Sequence, residues 1–497
     1  MRILAIGTAA LLLSVPCLPA LAVPVSEPEP DLARLVGIAA VHRHLDAFQQ
    51  IADANGGNRE AGRPGYDVSV KYVVSRLREA GFVPQVQEFD FDLWEETSAA
   101  VLAQTAPEQR TYKPGTDFQT MKYSGSGDVT APVVAVDVPK AGEAGTAGCE
   151  SGDFAGFAPG SIALIQRGTC AFEDKAAHAQ QAKAAGVVIY NRPGEKGLVN
   201  GALGRPFTIP VLETTRAVGE ALARARGLKL RIKADTVNGK RRASNVIAET
   251  RHGRDDNVVV VGAHLDGVPE GAGINDNGTG SATLLALAEE IGKLGRDGLR
   301  NKVRFAWWGA EEQGLIGSEH YVESLGEAGR AKIALNLNFD MLGSVNGIRG
   351  VYDGDGSLGT GTKPPAGSGA IEKLFREYYA GRGLPTVETE FSGRSDYGPF
   401  IEHGIPAGGL FSGSDGLKTK EQAARFGGTV GRPYDPCYHA ACDSMANVDR
   451  ALLDSHADGV AFAVQRLAAS TLRVNGEARR SRPERRVRRA HGHAGRE

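Results

Sequence analysis

The side chains His264, Asp266, Asp276, Glu311, Glu312, Asp340 and His439 each sit at the end of an apolar stretch or in a glycine-rich or cysteine-bounded loop. All are metal-ligand types. Neutral imidazoles and ionised carboxylates hold zinc at about 2.0–2.2 Å. No cysteine stands among them, which excludes a Cys-rich structural zinc site. Taken singly, each has an ordinary reading. His264 is a core histidine bonded to a nearby acid. Asp276, in "GAGINDNGTG", is a turn residue bonding its own backbone. Glu311-Glu312 is a solvated acidic loop. The chemistry emerges from the set.

"VVVVGAHLDG" places His264 and Asp266 two apart at a strand end, where both can face one side. His264 would bind a metal and Asp266 would hold its ring and tautomer. Two metal ions about 3.5–4 Å apart need a bridging carboxylate, and a short Asp on a close-packing loop suits that role. Adjacent Glu311 and Glu312 follow "FAWWGA". One can ligate a cation while the other stays free to take a proton from water. Asp340 ends "LNLNFD", where an unpaired charge would be costly to bury and a metal would compensate it. His439 lies in "CYHAAC"; a disulfide closing that loop would hold Tyr438 and His439 rigidly.

The elements that must position these residues alternate. Asn257–Gly262 is a near-continuous valine run, as in a buried central strand. Ser281–Leu294 reads as a helix, and "KVRFAWWGA" and "ALNLNFDMLG" as further buried strands. Such alternation implies a doubly wound, mixed α/β sheet with helices on both faces, whose sites form at the carboxyl ends of strands. Upstream, Leu32–Ala54 reads as a helix and "VPQVQEFDFDLW" as a strand. Between about Gly125 and Ala234 the texture changes. Short apolar strands there are separated by Gly/Pro turns, with one Ala-rich helix. This reads as a mostly-β module inserted into the α/β unit.

The 497 residues allow two or three domains. A net charge of −2 gives no argument for nucleic acid. Arg2, the apolar run Ile3–Leu21 and Ala20-Leu21-Ala22 read as a secretory signal over 1–22. Residues 23–31 read as a leader or pro-segment, and 473–497 as a disordered basic tail. No later stretch is long and apolar enough to span a bilayer. Removing the signal removes Cys17 and leaves Cys149, Cys170, Cys437 and Cys442. Their order points to the disulfides Cys149–Cys170 and Cys437–Cys442, as expected for a secreted or periplasmic chain.

The motifs "GAHLDG", "GINDNGTG", "WWGAEEQGLIGS", "NFDMLGS", "FSGRSDYGPF" and "CYHAACD" together resemble peptidase family M28, the di-zinc peptidases, and its bacterial secreted leucine aminopeptidases in particular. The likeness covers 32–124 and 235–472, which would form the split catalytic domain. The intervening 125–234 resembles the protease-associated domain through "GSIALIQRGTCAFEDKAAHAQQAKAAGVVIYN" and "IPVLETT". The resemblance implies two Zn2+ per chain. Asp276 would bridge them, His264 and Asp340 completing one site and Glu312 and His439 the other. It implies Glu311 as general base and later acid, Tyr438 as the group that stabilises the oxyanion, and Arg394 as a substrate contact. The substrates implied are peptides with a free N-terminus, with large apolar residues such as Leu removed by a monomeric chain.

Three rivals come from other classes. A zinc carboxypeptidase would need cations for the substrate carboxylate, and Arg394 is the one obvious candidate. A non-catalytic binding protein would act through the inserted module. A serine hydrolase would use Ser392 or Ser395 of "FSGRSDYG", but no G-x-S-x-G elbow is present.

Overall fold

The computed structural model describes residues 31–136, 147–168, 170–192, 197–199, 201–294 and 299–476. The expected signal 1–22, residues 23–30 of the expected leader and residues 477–497 of the expected tail lie outside this set. Three parallel strands form the centre. The valine strand Arg254–His264 lies between Asn301–Trp308 on one side and Ile333–Asp340 on the other. Ala407–Phe411 joins Ile333–Asp340 in parallel, and the short strands Gly350–Tyr352 and Val387–Thr389 complete that edge.

The valine run is unbroken because both sheet faces are covered. Val259, Val261 and Ala263 enter a large core with the helices Ile38–Ala54, Thr279–Leu294 and Arg450–Ala469. Val258 and Val260 enter a second core with Trp308, Tyr321 and Phe400. This is the expected mixed α/β sheet with helices on both faces. The expected first helix is interrupted. Leu32–Leu35 and Ile38–Ala54 are separate helices, with an extended Gly37 between them.

Two long antiparallel strands, Gln85–Ala106 and Lys229–Glu249, run out of this sheet as a ribbon. The outer part of the ribbon carries the inserted module. There Gly127–Ala135, Ile162–Gln166, Gly186–Tyr190 and Val211–Thr214 lie side by side in parallel. Phe118–Thr120 closes the edge antiparallel to Val211–Thr214. The Ala-rich segment is the helix Phe172–Gln181. A second helix, Arg216–Arg224, forms where the sequence reading expected strand and turn. The Thr215 hydroxyl accepts from Val218 N and caps it. The module is therefore more helical than expected.

Cys149–Cys170 closes a loop of the module, and Cys437–Cys442 closes a loop beside the main sheet. Helix Leu472–Asn475 buries Val474, so the chain stays packed into the stretch expected to be a disordered tail. Among the described residues, no helix is long and apolar enough to cross a membrane.

Candidate metal centre

The valine strand ends at His264, the strand Ile333–Asp340 ends at Asp340, and Glu311 follows the strand Asn301–Trp308 by one turn. All three strand ends open on the same edge of the sheet, where such folds place their sites. His264 is buried. Its Nδ1 lies 3.1 Å from the Asp266 carbonyl oxygen. With the proton on Nδ1, Nε2 would offer its lone pair to a metal bound among the carboxylates. Nε2 is 3.2 Å from Asp340 Oδ1 and 3.3 Å from Asp276 Oδ1.

Asp276 turns one oxygen to each side. Oδ1 faces His264, and Oδ2 lies 3.3 Å from His439 Nε2. His439 Nε2 is also 3.0 Å from Glu312 Oε2. Glu312 Oε1 is buried with no hydrogen-bond partner. Two donor groups therefore share one carboxylate: His264, Asp340 and Asp276, then His439, Glu312 and Asp276. Ligand bonds of about 2.0–2.2 Å in a tetrahedron give ligand–ligand edges of about 3.3–3.6 Å. The observed separations come close to that edge, the all-N/O donor set suits zinc, and the orphaned Glu312 oxygen marks an unmet partner. The residues fit a pair of metal ions.

Asp266 joins the cluster differently from the expected ring-holding contact. Its Oδ1 is 3.8 Å from His264 Nδ1. The two carboxylate oxygens accept instead from the backbone N–H groups of Glu311 (3.2 Å) and Glu312 (3.4 Å). It thus anchors the glutamate loop, while its own carbonyl orients His264.

The electrostatics reflect burial and crowding. Burial pushes the Glu311 carboxyl well up, and Glu312, Asp396 and Asp340 add to the rise. Burial and then Asp276 push Glu312 up to about 7. Burial alone would lower His439, but hydrogen bonds to Asp276 and Glu312 outweigh it and raise it to about 10. Asp276 is held well below the usual carboxylate range: burial opposes this, and the hydrogen bonds from His264 and His439 overcome it.

Tyr438 lies beside the cluster. Its hydroxyl accepts from Arg394 Nη2 at 3.0 Å, and Arg394 also faces Asp415 at 3.6 Å. A groove of about 290 Å³ runs from Glu311, Glu312 and Asp340 past Tyr438 toward Tyr352 and Phe411. The backbone around it is strained, with His439 at φ 52°. The Cys437–Cys442 bridge and a hydrogen bond from Cys437 N to Asp435 hold that loop.

Other supporting residues escaped the sequence reading. Arg59 is buried, and its guanidinium donates to the carbonyls of Leu265, Ala272 (2.9 Å) and Gly273 (2.6 Å). It clamps both ends of the loop between His264 and Asp276. Asp443 accepts from the N–H groups of Asn275 (2.8 Å) and Asp276 (3.0 Å). No local spacing marks either residue, since their partners lie far away in sequence. Ser395, considered as a nucleophile, donates to Asp340 Oδ2 at 2.6 Å and accepts from Asn338. Its partners are an acid and an amide, so it supports Asp340. A further acidic group, Asp353, Asp355 and Glu372, lies elsewhere. Backbone N–H groups of Gly354, Asp355, Ser357 and Leu358, the Ser357 hydroxyl and the Arg376 guanidinium donate to it.

The model of peptidase family M28 matches residues 245–464, and that of the PA domain matches residues 129–222. The aminopeptidase of Pseudomonas aeruginosa is 47% identical over 452 residues, covering 90% of this chain and 84% of the relative. The chain belongs to peptidase family M28. Leucine aminopeptidase 2 of Trichophyton tonsurans is 37% identical, covering 88% of this chain and 86% of its own length. The solved structure of a zinc aminopeptidase from Bacillus subtilis is 25% identical, with a TM-score of 0.56, covering 89% of this chain and 96% of that one. The M28 match contains all the donors described above, and the PA match falls on the inserted module.

Proposed function

We propose that this M28 chain is an exported zinc aminopeptidase that removes large apolar residues, such as Leu, from peptides with a free N-terminus. The reading rests above all on Asp276, whose two oxygens face two different imidazoles. His264, Asp340 and Asp276 would hold one zinc; His439, Glu312 and Asp276 would hold the other. When bound, the metals supply Lewis acidity to the scissile carbonyl and to water. We take 32–124 and 235–472 as the catalytic unit, 125–234 as the inserted module, and 1–22 as the export signal.

The chain's own groups do the rest. Glu311 takes a proton from the attacking water and passes it to the leaving amine. A carboxylate left free beside the donor groups suits a group that must both accept and return a proton. Tyr438 donates to the oxyanion, and Arg394 holds the phenol in place. Carboxylates at the mouth, Glu311 and Asp340, receive the substrate's α-ammonium. Beyond them the groove is walled by Tyr352 and Phe411, which suits an apolar side chain. The names of the Trichophyton and Bacillus relatives support the same residue preference and metal.

A carboxypeptidase is not favoured. Arg394 would have to bind the substrate carboxylate, yet it is engaged with Tyr438 and Asp415. The test is a panel of aminoacyl chromogenic amides, free and N-blocked, with chelator and with zinc restored. Hydrolysis of free leucyl amide that chelator abolishes and zinc restores is the expected result. Equal hydrolysis of N-blocked substrates would overturn the exopeptidase reading.

A further inference from the structure

The loop that carries Glu311 and Glu312 is strained. Ala310 and Leu315 adopt left-handed backbone at φ 56° and 62°, and Gly314 lies at φ 118°. Left-handed backbone is unfavourable for residues other than glycine, so such a loop needs ties from outside. Two come from the catalytic unit. Asn245 Oδ1 accepts from Gly309 N, and Asp266 accepts from Glu311 N and Glu312 N. A further tie comes from the segment that leads into the inserted module: Lys122 Nζ donates to the Gln313 carbonyl at 2.8 Å.

Lys122 lies just ahead of the inserted module and is anchored on it. Leu203 N donates to its carbonyl at 3.1 Å, and Met121 N beside it donates to Val211 O. The next residue, Tyr123, is itself left-handed at φ 71°. Phe207 N donates to the Tyr123 carbonyl, and Trp94 Nε1 donates to Ser124 O at 3.1 Å. The turn is thus fixed from the module and from the ribbon before any substrate arrives. Burial lowers the Lys122 ammonium pKa, and Glu312 and Glu311 oppose that drop. A largely buried ammonium is costly without such partners.

We infer that Lys122 is a positioning residue for catalysis: anchored on the inserted module, it ties down the Gln313 carbonyl and fixes the loop bearing Glu311 and Glu312. The module then acts on the catalytic loop itself. This rests on reading Glu311 as the general base. A small displacement of that carboxylate is enough to slow turnover strongly.

The test uses the full-length, zinc-loaded enzyme with leucyl chromogenic amide. Lys122→Met is expected to lower kcat about 10- to 10²-fold, with KM and bound zinc within about twofold of the parent and an unchanged far-ultraviolet spectrum. Lys122→Arg keeps a long cationic donor and should recover most of the loss. It also carries the test if the Met variant fails to fold, because a kcat for Lys122→Ala equal to that of Lys122→Arg would overturn the proposal. So would an unchanged kcat in the Met variant, or a loss confined to KM or zinc content. Glu311→Gln is run alongside. Full activity there overturns the base assignment and this proposal together, whereas an inactive Glu311→Gln beside a fully active Lys122→Met overturns only the role of Lys122.

Discussion

The catalytic unit and the inserted module are built on the same plan, yet among the described residues only the catalytic unit carries clusters of candidate metal donors. In each, central parallel strands alternate between two apolar cores. Val259 and Val261 face one side and Val258 and Val260 the other. In the module, Leu164 and Val188 face one core, while Ile165 and Ile189 face the other. The strand ends differ. Those of the catalytic unit release His264, Asp340 and the Glu311–Glu312 loop. Those of the module release Gln166, Tyr190 and Thr214. Among the described residues, every group of three or more candidate metal donors lies in the catalytic unit. A covered parallel sheet is a scaffold, and the residue types at its strand ends decide whether chemistry occurs there.

The largest effect should come from the group proposed to transfer the proton. Glu311→Gln should lower kcat about 10²- to 10⁴-fold while zinc content by elemental analysis stays at the parent value. Activity within tenfold of the parent would place the base elsewhere. Tyr438→Phe removes one oxyanion donor and should cost about 10²-fold in kcat, with little change in KM. A change in KM alone would instead make Tyr438 a binding group.

The two disulfides sharpen the contrast between the units. Replacing Cys149 and Cys170 by Ser should destabilise the module by about 3 kcal/mol, read from denaturant unfolding. Turnover under native conditions should stay within about twofold. Replacing Cys437 and Cys442 by Ser frees the loop bearing Tyr438 and His439, and should reduce turnover and zinc retention more than stability. The reverse pattern would break the division of labour between the two units.

The smallest effect is a pH slope. His456 is buried, with its Nδ1 2.8 Å from the Leu342 carbonyl, and burial lowers its pKa from 6.5 to about 4. Between those values the unfolded chain binds a proton that the native chain refuses. Stability is therefore fully present above about pH 6.5 and falls by up to about 3 kcal/mol toward pH 4. Trp307 and Trp308 lie in the catalytic sheet, so tryptophan fluorescence in urea can track this. His456→Gln should flatten the slope. An unchanged slope would show that other groups set it.

Much of this was legible in the sequence because it is local. A valine run, a His-x-Asp triplet and a pair of glutamates after tryptophans each identify themselves over a few residues. The disulfides were legible because few cysteines remain to pair. The second module helix was legible too, in the i, i+4 spacing of the buried Val218 and Leu222 after the capping Thr215. Arg59 and Asp443 were missed because the groups they hold lie more than 150 residues away. The role expected for Asp266 changed for a similar reason. Its nearest hydrogen-bond donors come from another strand end rather than from its own triplet.

The order of apolar runs and turns by itself determined the central strands, the insertion into the α/β unit and the donor types. Each depends on side-chain chemistry and short-range backbone preference, which are written residue by residue. Only the tertiary structure decided that the two oxygens of Asp276 face different imidazoles, that Asp266 anchors the glutamate loop, and that Lys122, anchored on the inserted module, reaches that loop. Those arrangements depend on distances between segments far apart in the chain, and packing both faces of the sheet is what sets them.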